Sequence, residues 1–147
     1  MAKVNWLKLV IAAIVIMIIG QLVHTAGAML MMKHYMNTDF APVWSKIMMP
    51  SAGPPPATFF YWACGVGLIT GLIFAYVYNV IKAGVPGSGI WGKGAWYGVL
   101  VFLVGGLPGH LAIFLMIHLP KTLIASWAVE SLVVSVVGGW IVAWLIK

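Results

Sequence analysis

The chain has no arginine, two acidic residues (Asp39 and Glu130) and one cysteine (Cys64) among its 147 residues. Charged residues make up 7% of it, against about 25% in a soluble domain. A soluble globular domain needs a charged surface, and a disordered chain needs a polar one, so both classes are excluded. Without arginine there is no bidentate clamp for a phosphate or carboxylate ligand. The single Cys64 forms no internal disulfide and fixes no redox compartment. Asp39 lies outside the apolar runs, so no carboxylate pair for hydrolysis is available. The eight basic residues are lysines scattered singly at 3, 8, 33, 46, 82, 93, 121 and 147. Nucleic-acid binding requires a basic patch or stripe, and none is built this way. Phosphate-binding, nucleophile-elbow, His-Glu-x-x-His and Cys-x-x-Cys motifs are all missing. The glycine-rich stretch 84–94 follows an apolar run instead of a strand, which argues against nucleotide binding there.

What remains is apolar. Hydrophobic residues make up 63% of the chain, and the mean hydropathy is +1.08. A helix that crosses a bilayer needs about 20 mostly apolar residues. Four runs qualify: Leu7–Met32, Phe59–Ile81, Ala95–His118 and Leu123–Ile146. The expected fold is therefore an all-α, four-helix membrane bundle of two helical hairpins in one domain, residues 1–147. Asp39, Lys46, Pro50 and Gly53-Pro54-Pro55-Pro56 separate the first two runs. Ala83–Gly94 separates the next pair, and Leu119-Pro120-Lys121 makes a tight final turn. Lys3 and Lys8 before an apolar run, with Ala26-Gly27-Ala28 at its end, follow signal-peptide grammar. The run continues through Met32, long enough to span, and is read as a retained first helix.

If both termini share one side, that side holds Lys3, Lys8, Lys82, Lys93 and Lys147, and the other holds Lys33, Lys46 and Lys121. The excess favours cytoplasmic termini in a multi-pass protein of the bacterial inner membrane. Trp6, Trp91, Trp96 and Trp144 then fall near the inner interface, with Trp62 and Trp127 near the outer one. Small residues recur every fourth position as Ala63, Gly67, Gly71 and Ala75, and again as Ser131, Ser135, Gly139 and Ala143. Such stripes let helices approach closely, within the bundle or toward a homo-oligomer or a larger complex. Gly20-x-x-x-His24 matches Gly106-x-x-x-His110, and Trp62-Ala63 with Ile81-Lys82 matches Trp127-Ala128 with Ile146-Lys147. This hints at two related helix pairs, although shared membrane composition accounts for it nearly as well.

Ionisable residues inside an apolar span are costly and mark candidate sites. They are His24, His110 and Glu130, with Gln21 one turn before His24. At about 1.5 Å rise per residue, His24 lies about 7 Å past its span midpoint, His110 about 5 Å and Glu130 about 7 Å. Alternating helix directions bring all three to one level. Four readings follow. A hydrogen-bonded polar triad would fix helix register. His24 and His110 would ligate a b-type haem axially, with Gly20 and Gly106 giving the porphyrin room and Lys33 or Lys121 serving the propionates. Glu130 would exchange a proton or ion with a histidine as relay, beside a third helix weakened at Pro108-Gly109. Finally, Met29, Met31, Met32, His34, Met36, Met48 and Met49 crowd one region. Met29, Met32, His34 and Met36 are the candidate copper ligands there, because soft thioethers suit Cu(I). The same methionines also read as flexible apolar filler.

His24 and Tyr35 near the end of the first helix belong to a wider pattern. So do Lys93-Gly94-x-x-Tyr97-Gly98, Pro108, Trp127-x-x-Glu130 and Gly138-Gly139. Together they resemble a widespread, functionally uncharacterised family of small four-helix bacterial membrane proteins. The resemblance implies a four-helix inner-membrane protein and supplies no catalytic residue. The functional expectation is a non-enzymatic accessory or structural subunit, whose partners are the lipid bilayer and other membrane helices. The alternatives are a haem electron-transfer subunit and a proton- or ion-coupled transporter.

Overall fold

The computed structural model describes residues 4–51 and 53–147. Lys3, counted above toward topology, lies outside them. The described chain is helical, with four helices long and apolar enough to cross a membrane. Helix α1 (Trp6–Leu30) starts at Asn5, whose side chain accepts from the Lys8 N–H at 3.2 Å and caps the first turn. A one-turn helix, α2 (Met32–Tyr35), and a 3₁₀ segment (Thr38–Val43) follow. Helix α3 (Ala57–Ile81) begins after the three prolines, with Pro56 at its N-cap. Proline donates no N–H, so chain that cannot be helical ends where the helix starts. The third long helix is α4 (Gly89–Val101), a π-helical turn (Phe102–Gly106) and α5 (Leu107–Met116). Helix α6 (Lys121–Leu145) follows Pro120.

The third helix begins six residues before its expected start at Ala95. Residues 83–94 read as a loop, yet Gly92 and Gly94 are helical, as is Gly98. Gly94 and Gly98 are small because α4 packs closely on α6. A Cβ on Gly94 would lie 2.7 Å from Trp140 Cα, and one on Gly139 would run into Gly94 O. The true turn is at Gly87, whose φ of +99° favours glycine. The first helix ends at Leu30, two residues early, and the last spans Lys121–Leu145.

Both small-residue stripes lie largely on seams within the chain. Gly67 meets Met17, and Gly71 lies against the Ala13 backbone, closing α3 onto α1. On α6, Ser135 and Gly139 receive Gly98 and Gly94. Ala75 and Ala143 are buried, while Ala63 and Ser131 line a groove described below. Helix α1 also packs on α6, so α1 and α6 form the centre, with α3 and the third helix flanking them.

The core gathers at the end where α1 begins and α6 finishes. Leu9, Ala12, Ile16, Tyr78, Tyr97 and Val142 belong to one buried cluster there. Tyr97 ties the third helix to α3: its hydroxyl donates to Phe74 O at 2.6 Å, and its ring packs edge-on against Phe74 and Tyr78. Lysines close the same end. Lys82 Nζ donates to Lys147 O at 3.0 Å, and Lys93 Nζ donates to Lys82 O at 3.2 Å. These cations satisfy carbonyls that helix C-termini leave unpaired.

Gly139→Ala should destabilise the bundle by about 1–3 kcal/mol through overpacking against α4. Gly65→Ala, whose Cβ meets open space, should be neutral or stabilising. Unfolding midpoints in detergent check the contrast; equal midpoints would count against the backbone-close seam.

Candidate functional site: a histidine–glutamate pair beside an apolar groove

Glu130 is 8% exposed, and its carboxylate is held on both oxygens. Ser126, one turn earlier on α6, donates its hydroxyl to Oε1 at 2.7 Å. His24 of α1 meets Oε2 through Nδ1 at 2.9 Å. A carboxylate in its ionised form only accepts, and in that form the proton of this bond sits on Nδ1. Among the described residues Nε2 has no hydrogen-bond partner, and the His24 side chain is 53% exposed. Opposite the carboxylate stands Gly27, where an added Cβ would overlap Glu130. Gly27 is thus the space into which the carboxylate folds.

His110 does not join this pair. Its Nδ1 donates to Gly106 O, one turn earlier on its own helix, at 2.6 Å. The cause is local. Pro108 has no N–H, and the preceding turn widens, with Leu107 N–H reaching Phe102 O. The inserted residue turns the following segment by about 100° relative to a regular helix. His110 thus bonds within its own helix, whereas His24 bonds across to α6. Gly20-x-x-x-His24 and Gly106-x-x-x-His110 therefore end in different bonding.

Away from Tyr97 the bundle opens. A groove of about 740 Å³ lies between α3 and the third helix, over a floor of α1 and α6. Gly67 and Thr70 belong to one wall, Gly105 and Gly106 to the other, and Gly20 and Ser135 to the floor. From Phe74 it runs along α3 to Phe59, about 22 Å at helical rise. Gln21 and His24 lie at its far end, so Gln21 shares the groove with His24 without bonding to the pair.

Beyond that end lies a second cavity of about 400 Å³. Met29, Met32, Met36, Met48 and Met49 line it together with His24. His34, expected among the copper ligands, does not; its Nε2 lies 3.1 Å from Thr122 Oγ1. That bond ties α2 to the start of α6. A second tie runs from Trp127 Nε1 to the Tyr35 hydroxyl at 2.6 Å, and the rings of Tyr35, Trp44 and Trp127 pack together. Trp127, expected in an interfacial belt, is thus a packing residue, whereas Trp6, Trp62, Trp91, Trp96 and Trp144 are exposed. Burial pushes the Tyr35 hydroxyl above the ordinary phenol range, the indole bond lowers it in part, and the nearby Glu130 charge raises it. Tyr35 therefore stays protonated and accepts from Trp127. No group of three or more His, Cys, Asp or Glu side chains gathers among the described residues.

Sequence reasoning missed the roles of Ser126, Gly27 and Tyr97. The first two were findable: Ser126 is four residues from Glu130, and Gly27 is three from His24, so each shares a helix face with its partner. No family model, curated protein or solved structure matches the chain, so the site is read from its own geometry.

Gly27→Ala should lower stability by about 1–3 kcal/mol, since the new methyl displaces a buried carboxylate. Adding Glu130→Ala should recover part of the loss, because the clash is with that side chain. A double-mutant cycle of unfolding free energies checks the coupling; strictly additive losses would contradict it.

Proposed function

We propose that the protein is a non-enzymatic, multi-pass membrane protein of accessory type that holds one lipid-like molecule in the groove between α3 and the third helix. The observation that carries the reading is the groove itself. Its volume of about 740 Å³ falls within the roughly 300–1,000 Å³ usual for small-molecule sites. An acyl or isoprenoid chain is narrow enough to lie along the groove, and Gln21 and His24 at one end supply polar contacts for a head group.

Four apolar helices and the broad exposure of residues such as Leu22, Val66, Ile73 and Leu115 support insertion in a bilayer. The lysine excess at the end with both termini supports a cytoplasmic position for that end, in a bacterial inner membrane.

The test is native mass spectrometry of the protein purified in mild detergent. Gly105 lines the groove and a Cβ there meets nothing within 4 Å, so Gly105→Leu should fill the groove without disturbing the fold. Gly65→Leu, equally unobstructed and outside the groove lining, is the control. The wild type and Gly65→Leu should retain one lipid adduct per chain, and Gly105→Leu should lose it. Equal adducts in all three would overturn the reading.

A further inference from the structure

We infer that the methionine-lined cavity at the open end of the bundle is a binding site for a soft monovalent cation, Cu(I), with His24 Nε2 as its nitrogen ligand. Three separate segments converge there: Met29 from α1, Met32 and Met36 around α2, and Met48 and Met49 from the connection to α3. Five of the nine methionines in the chain thus face one space of about 400 Å³. No carboxylate, thiol or lysine lines it. The thioethers and one imidazole suit Cu(I), while the oxygen donors in the lining, Gln21, Thr25 and Tyr35, are neutral and offer no carboxylate to Mg(II) or Ca(II).

The histidine carries the second argument. Metal-bound imidazoles usually donate their other ring N–H to a carboxylate, which fixes the tautomer and raises the basicity of the free nitrogen. His24 has that arrangement: Nδ1 is held by Glu130 at 2.9 Å, and Nε2 is left without a partner. Ser126 holds the carboxylate in turn.

This site meets the lipid groove at Gln21 and His24, which line both spaces, but the two readings separate experimentally. It uses the methionine cavity, and Gly105 does not line that cavity. The experiment is a titration of the full chain in mild detergent with Ag(I), a redox-inert probe for Cu(I), followed by isothermal calorimetry. The wild type and Gly105→Leu should each bind one Ag(I) per chain. The near-isosteric triple variant Met29→Leu/Met32→Leu/Met36→Leu should weaken binding at least tenfold. The pair Met48→Leu/Met49→Leu, tested separately, should also weaken it. Met17→Leu, facing Gly67 instead, should bind like the wild type. Glu130→Gln should weaken binding while keeping its stoichiometry. Absence of Ag(I) binding in the wild type, unchanged binding in both folded methionine variants, or equally tight binding of Zn(II) would overturn the assignment.

Discussion

Glu130 is a carboxylate placed where a carboxylate is expensive, and the open half of the bundle is arranged around that cost. A buried charge must be paired and hydrogen-bonded. The pairing draws on three positions in two helices: Ser126 on its own helix, His24 across the α1–α6 contact, and Gly27, which contributes only the absence of a side chain. The bond between α1 and α6 fixes how far one can slide along the other. It also orients His24, leaving one nitrogen free between the groove and the methionine cavity.

The two ends of the bundle solve different problems. At the end with both termini, glycine and alanine bring backbones together, Tyr97 bridges to α3, and lysines satisfy helix-end carbonyls. That end is closed and packed. Toward the other end α3 and the third helix part, with Gly67 and Thr70 on one wall, Gly105 and Gly106 on the other, and Gly20, Ser131 and Ser135 along the floor. The π-helical turn lies on the parting side, where Pro108 interrupts the regular ladder. Side chains too small to fill the space leave a cavity, and a cavity facing hydrocarbon is filled by whatever apolar chain is at hand.

Much of this was legible in the residues. Apolar runs of spanning length gave the four helices, and helix depth alone put His24 and Glu130 on one level. The same arithmetic added His110, because depth carries no information about which way a side chain faces. The π-helical turn before it has no clear sequence mark beyond Pro108 and the nearby Gly105, Gly106 and Gly109. Glycine density misled at residues 89–94, where small residues serve close packing and do not break the helix. The methionines were visible as a crowd. Their partner was not, since His34 is their neighbour in sequence while His24, packed on α6, lies beside them in space.

The most direct test of the account is the protonation of His24, read by ¹⁵N NMR of histidine-labelled protein in detergent at mildly alkaline pH. The account predicts that Nδ1 carries the proton and Nε2 does not. It also predicts that the Nδ1 proton resonance moves upfield in Glu130→Gln, where a charged acceptor becomes neutral. A proton on Nε2, or an Nδ1 resonance indifferent to Glu130→Gln, would contradict it.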